Sequence, residues 1–190
     1  MPPIHVTPRL LDHPWYRKWE CGELPLSSLQ HYAREYYPHV ARFPRYLSAL
    51  HSKTPSLEHR RVLLQNLNDE ENTAEPHPEL WIGFARALGV NPEDGTPPGN
   101  ASERLVAEFE ALGSCHAAEG LGALLAYESQ VPEIARFKTQ ALKEHYLPEE
   151  KWTNGTRFFE VHQQADVWHT QALEKLVAAM QPKDQMRAQA

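Results

Sequence analysis

Apolar residues recur every three to four positions along almost the whole chain. Leu10, Leu11, Trp15 and Trp19 give a first helix over about Pro8 to Glu20, ended by Cys21-Gly22, where Gly22 suits a left-handed cap. Leu29, Tyr32, Tyr36, Val40, Phe43, Leu47 and Leu50 mark a second, starting near Ser27-Ser28. Pro38 and Pro44 lie inside that run, which predicts a kinked or broken helix. Ser56 caps a third helix carrying Leu57, Val62, Leu63, Leu64 and Leu67. After Pro76-His77-Pro78, the positions Trp81, Phe84 and Leu88 continue a helical period up to Gly89, and residues 91–100 read as a loop. Further helices are expected from Ser102, from about Glu119 through Leu142 with a kink at Pro132, and from about Thr156 to Met180. Residues 1–8 read as a loose leader, and the polar tail after Gln181 is expected to fray. No stretch alternates with period 2. The reading is therefore all-α, with six to eight helices long enough to form a bundle.

Length and composition narrow the class. A chain of 190 residues suffices for one domain, taken as 1–190 with its core over about 8–180. A net charge of −6 and the absence of a basic stripe argue against nucleic-acid binding. Cys21 and Cys115 lie far apart and form neither a disulfide framework nor a thiolate zinc motif. No apolar run of membrane-spanning length and no signal-peptide pattern occurs, so a cytoplasmic location is expected.

The chemistry concentrates in the last long helix. His162, Asp166 and His169 stand at i, i+4 and i+7, which on a helix returns each side chain to within roughly 40° of one direction. Two imidazoles and a carboxylate on one stripe suit a non-haem iron or manganese site. Bundles that hold two metals draw further glutamates and histidines from other helices. Glu70 with His77, and Glu128 within the apolar run Leu124-Leu125-Ala126-Tyr127, offer them here. The set is three imidazoles and three carboxylates, which offset most of the charge of two divalent cations. Each member has a plainer reading. Glu70 and Glu71 can be a solvated helix end, the prolines around His77 a turn, and Glu128 the partner of Arg136. A Cys115-His116 nucleophile is disfavoured, because neighbours on a helix point about 100° apart.

These stretches, together with His13-Pro14-Trp15-Tyr16, Phe43-Pro44-Arg45-Tyr46, Asp69-Glu70-Glu71-Asn72 and Tyr127-Glu128-Ser129-Gln130, resemble one family over roughly residues 11–180. It is the family of the Chlamydia protein associating with death domains, haem-oxygenase-like diiron oxidases akin in fold to the TenA and pyrroloquinoline-quinone-synthase proteins. The resemblance implies a seven-helix bundle with Glu70, His77, Glu128, His162, Asp166 and His169 around two metal ions, iron alone or iron with manganese. It implies dioxygen as co-substrate, an external reductant, and synthesis of 4-aminobenzoate for folate. By the same resemblance the ring comes from a tyrosine of the protein itself, matching Tyr16, in a single self-sacrificing turnover. The amino group comes from a lysine matching Lys138, ten residues after Glu128 on the same predicted helix, and Tyr127 matches a tyrosine tied to radical chemistry. One position departs: a further family tyrosine is Phe158 here. A homodimer is left open. The competing readings are a dimetal oxidase acting on an external small molecule and a non-enzymatic interaction protein.

Overall fold

The computed structural model of the protein describes residues 9–112 and 116–189. Among them are ten α-helices and no strand. They are α1 (Pro14–Glu20), α2 (Leu26–Glu35), α3 (Tyr37–Lys53), α4 (Leu57–Glu70), α5 (His77–Ala87), α6 (Asn100–Leu112), α7 (Ala117–Glu128), α8 (Val131–Ala141), α9 (Trp152–Ala179) and α10 (Pro182–Ala188). The leader at 1–8 and Cys115 lie outside the described residues.

Local chemistry sets the boundaries. Tyr36 alone separates α2 from α3, and Pro38 sits in the first turn of α3, where a missing N–H costs nothing. Ser56 caps α4 by accepting from the His59 amide. Gly22 ends the α1 segment with φ +69°, the left-handed region expected of it. The helix expected to run from Glu119 through Leu142 is two helices. Pro132 cannot donate to the carbonyl of residue 128 and its ring crowds it, so α7 stops at Glu128 and α8 begins at Val131. Glu128 and Lys138 therefore lie on different helices. Counting α2–α3 and α7–α8 as two broken helices turns ten segments into eight. The first helix is shorter than expected: a 3-10 turn at Leu10–Asp12 precedes it, and α1 starts only at Pro14. Conversely, α6 begins two residues before Ser102, and α9 opens four residues before Thr156, at Trp152.

The 28-residue α9 runs through the middle and packs against α4, α5, α7 and α8. Its sequence is segmented. Phe158 and Phe159 enter an apolar cluster with Trp19, Leu29, Ala33, Trp81 and Phe84. Leu173, Leu176 and Val177 enter a second cluster with Leu47, Leu63, Leu121 and Leu125. Each buried Leu, Val or Phe among them contributes roughly 1.5–3 kcal/mol. The polar stretch His162 to His169 lies between the two, so apolar packing on either side holds buried polar groups in the centre. No helix of the described residues is long and apolar enough to cross a membrane.

The C-terminal tail does not fray. Residues Pro182–Ala188 form α10, which packs on α7 and buries Ala188. The seat exists because α7 offers a glycine: a Cβ on Gly122 would stand 1.9 Å from the Ala188 carbonyl oxygen. Gly122→Ala should therefore displace α10, with a loss of about 1–3 kcal/mol from overpacking. Limited proteolysis should then cut near Gln181, and unchanged protease resistance and melting temperature would contradict this seat.

Candidate metal centre

Four helices deliver the polar groups. The last turn of α4 brings Asn66, Asp69 and Glu70, the first turn of α5 brings His77, the end of α7 brings Glu128, and the middle of α9 brings His162, Asp166 and His169. All six expected ligands are buried, between 2 and 7 % exposed. The Glu70-Glu71 pair splits by helical phase: Glu70 points inward and Glu71 is exposed, so the solvated-end reading holds only for Glu71. Glu128 does not pair with Arg136, which is exposed; its Oε1 accepts from Asn66 Nδ2 at 2.8 Å.

The groups form two halves. In one, Glu70, His77 and His162 each offer a donor atom within 4.8 Å of the others. His77 Nδ1 lies 3.0 Å from Glu70 Oε1, and His162 Nε2 lies 3.9 Å from the same oxygen. The Phe158 carbonyl accepts from His162 Nδ1 at 2.6 Å, which leaves the Nε2 lone pair facing Glu70. The other half is Glu128, Asp166 and His169. His169 Nδ1 stands 3.2 Å from Asp166 Oδ1, and its Nε2 stands 3.0 Å from Asp69 Oδ2.

Electrostatics show what the arrangement lacks. Burial raises the Glu128 carboxyl well above the ordinary range, and the nearby Asp166 charge adds to this. Burial alone would lower His169, but hydrogen bonds to Asp166 and Asp69 and the Glu128 charge outweigh it and raise the ring to about 9. Burial would raise Glu70, yet the close His77 ring holds it below the usual value. Two donor atoms stay orphaned: Glu128 Oε2 has no partner, and the 3.0 Å contact of His77 Nδ1 to Glu70 lacks hydrogen-bond direction. Buried orphans of this kind cost roughly 1–3 kcal/mol each. Nitrogen and oxygen donors converging in this way, with orphaned lone pairs and protons that a cation can displace, fit divalent cations of the iron and manganese type.

Glu70, Glu128, His162 and Asp166 also wall one end of a partly open cavity of about 70 Å³. Its other end is lined by Tyr16, Tyr32 and Lys138. Lys138 is 5 % exposed, and burial pushes its ammonium down to about 7. Its Nζ donates to Tyr32 Oη at 2.6 Å and sits 5.6 Å from the Tyr16 ring centre. Burial pushes the Tyr16 phenol up to about 12. Between the ends, Tyr127 Oη and Tyr36 Oη share a 2.6 Å hydrogen bond, and Tyr36 stacks on Tyr32 with centres 5.4 Å apart. Thus Tyr16 and Lys138 are brought together, while Tyr127 stands beside Glu128 on the wall between them and the carboxylate–histidine cluster. Phe158, where the resembled family has a tyrosine, lies with its ring 4.1 Å from the His162 ring.

Five residues of this region carry no distinct role in the sequence: Tyr32, Tyr36, His39, Asn66 and Asp69. The spacing of Tyr32, Tyr36 and His39 marks only a buried face. Asp69 borders Glu70 in a motif already visible, and only the fold turns it toward α9.

The sequence profile of a family described as iron-containing redox enzymes matches residues 30–190. A 4-aminobenzoate synthase of Chlamydia trachomatis serovar D is 43% identical over 182 residues, covering 92% of this chain and 76% of that protein. One from Nitrosomonas europaea is 39% identical over 180 residues, covering 86% of this chain and 70% of that protein. Among solved structures, a TenA homolog from Pseudomonas syringae superposes with a TM-score of 0.78 at 20% identity, over 95% of this chain and 79% of that one. A CADD-like protein from Nostoc punctiforme gives 0.75 at 20% identity, over 95% and 80%. These two structures match the all-α bundle expected.

In the metal-free protein, burial and Asp166 hold the Glu128 carboxyl above its usual range, and the surrounding carboxylates hold the His169 ring above its own, so this half of the cluster binds protons that a cation must displace. Coordination needs both deprotonated. Binding of Mn²⁺ should release protons into a weakly buffered indicator solution, and apparent affinity should climb with pH toward about 9, where the His169 proton is lost. Binding that releases no protons would show that these two residues do not coordinate.

Proposed function

This chain belongs to the family of iron-containing redox enzymes, and we propose that it makes 4-aminobenzoate from dioxygen and its own side chains, the ring from Tyr16 and the nitrogen from Lys138. The observation that carries this reading is the cavity. At about 70 Å³ it has room for water or dioxygen, whereas a cavity that accepts benzene is roughly 150 Å³. An external aromatic substrate would have to displace wall side chains to sit beside the carboxylates and histidines, whereas an aromatic ring, that of Tyr16, already forms part of the wall. This favours a side chain of the protein as substrate over an added small molecule. The curated relatives named above are 4-aminobenzoate synthases, which supports the same product here.

Glu70, His77 and His162 would hold one metal ion and Glu128, Asp166 and His169 another, iron alone or iron with manganese. With electrons from an external reductant, such a pair supplies the activation of dioxygen. The chain's own residues supply the rest. Tyr16 presents a ring whose Cβ stands para to the phenol oxygen. In 4-aminobenzoate the carboxyl carbon stands para to nitrogen. Cβ therefore becomes the carboxyl carbon as the Cα–Cβ bond breaks, with dioxygen as the oxidant; the Lys138 nitrogen replaces the phenol oxygen, which leaves as water, and the Lys138 Nζ–Cε bond breaks as Cε is oxidised to an aldehyde. Lys138 must be neutral to offer a lone pair, and its burial among Tyr16, Trp19, Tyr32 and Phe159 provides this near neutral pH. Tyr32 Oη fixes the Nζ position. The apolar lining from Val131, Ile134 and Phe159 keeps bulk water away from the reacting groups.

Aerobic reaction of the metal-loaded protein with a reductant should yield 4-aminobenzoate, a mass loss at Tyr16 from the departed ring, and a second mass change at Lys138 from the departed nitrogen. Tyr16→Phe and Lys138→Arg should both abolish product while metal binding persists. Product from both variants, or many turnovers with unchanged protein mass, would overturn the self-sacrificing reaction. The pH dependence has a defined sign. Lys138 is protonated below about 7 and neutral above it, so the single-turnover rate should rise with pH through that value. A rate independent of pH between roughly 6 and 8 would remove Lys138 as nitrogen donor.

A further inference from the structure

The two histidines of α9 are held differently at the ring nitrogen that faces away from the donor cluster. His162 Nδ1 donates to a neutral backbone carbonyl, that of Phe158. His169 Nε2 instead meets a carboxylate, Asp69 Oδ2, at 3.0 Å. Its other nitrogen, Nδ1, stands 3.2 Å from Asp166 Oδ1, so the two atoms can share one cation. The His169 side chain is 1% exposed while Asp69 is 45% exposed, in a polar surface basin with Asn72, Glu75 and Arg157. Asp69 precedes Glu70 on α4, and consecutive helical side chains diverge by about 100°. One turn of α4 thus serves both halves of the cluster: Glu70 as a donor inside, Asp69 as a brace behind His169.

We propose that Asp69 is a positioning residue for the Glu128–Asp166–His169 half: it fixes the proton of His169 on Nε2, aims the Nδ1 lone pair beside Asp166 Oδ1, and so sets the affinity of that half for its metal ion. The proposal rests on the reading that His169 is a ligand. A carboxylate behind a coordinating imidazole orients the ring and raises its basicity, and losing such a brace typically weakens metal binding about 10–100-fold. The partial exposure of Asp69 places the effect toward the lower part of that range. The half built on His162, braced by a backbone carbonyl, has no such dependence.

Asp69→Asn separates bracing from simple stapling, because the amide oxygen can still accept from Nε2–H while the charge is gone. Metal-free wild-type and Asp69→Asn protein are titrated with Mn²⁺ and followed by calorimetry and electron paramagnetic resonance. Wild type should bind two ions and show an exchange-coupled signal at two equivalents. Asp69→Asn should keep the first binding step, weaken the second by about 10-fold or more, and show isolated Mn²⁺ instead. Equal affinities in both proteins, or equal weakening of both steps, would overturn the role of Asp69. Wild type that binds no second ion would instead overturn the two-metal reading beneath it. A measurement on wild type alone covers a variant that fails to fold. Nitrogen-15 spectra of histidine-labelled, Zn²⁺-loaded protein should show His169 protonated at Nε2, and a proton at Nδ1 would overturn the proposal.

Discussion

Six ionisable side chains buried in one helical core, gathered in two halves, are the constraint around which this protein is built. Three carboxylates and three imidazoles in a helical core are costly unless each is neutralised or paired. The helices satisfy only part of that demand. Asn66 serves one oxygen of Glu128, Phe158 serves one nitrogen of His162, and Asp69 serves one nitrogen of His169. The remainder is met by displaced protons, on Glu128 and His169, and by orphaned atoms. On the proposed reading, divalent cations would resolve both at once, replacing the protons and accepting the orphaned donors. The apolar clusters on either side of His162–His169 offset the burial of the polar middle, and they explain why α9 reads as apolar, polar and apolar in turn.

The same economy of space decides what the site can act on. The cavity beside the cluster is walled by large aromatic side chains, among them Tyr32, Tyr36 and Trp81, which pack against one another. An oxidase for external molecules commonly opens such a wall with small residues or a gap between helices. Here the aromatic wall is packed and contains both a phenol ring and a neutralisable amine. The packing that stabilises the first apolar cluster and the packing that presents Tyr16 to Lys138 are one set of contacts, so on the proposed reaction the α1–α8 interface would serve the core and the chemistry together.

The legible part of this design is local. Helical periodicity predicts an all-α bundle because α2 to α9 each carry an apolar face, and the i, i+4, i+7 stripe of α9 is visible because one helix supplies all three groups. Glu128 stands out as an acid in an apolar run. What escapes local patterns depends on contacts far along the chain. Lys138 by itself reads as a surface lysine; it is buried because α1 and α2 cover it with Trp19 and Tyr32, and only the family resemblance singles it out beforehand. The docking of α10 depends on one glycine across the bundle, Gly122, and has no signature in the polar tail itself. The split of Glu70 from Glu71 and the turn of Asp69 toward His169 follow from helical phase, which needs the neighbouring helix to give it meaning.

Phe158 shows how such a substitution is absorbed. Its ring fills the space against His162, Trp81 and His77 that a tyrosine ring would occupy, so the packing around the first half of the cluster needs no hydroxyl. The His162 Nδ1 proton is held by the Phe158 carbonyl, a backbone atom that any residue at this position provides. Orientation of that ligand is therefore independent of the side chain at 158. Phenol groups persist on the opposite wall, where Tyr127, Tyr36 and Tyr32 follow one another by a hydrogen bond and a ring stack up to Lys138. The three polar groups of α9 and the line of phenols are thus carried by different elements, and the two sets meet only at the end of α7, where Tyr127 precedes Glu128. A chain built this way can lose a hydroxyl from α9 while its donor cluster and its line of tyrosines both remain intact.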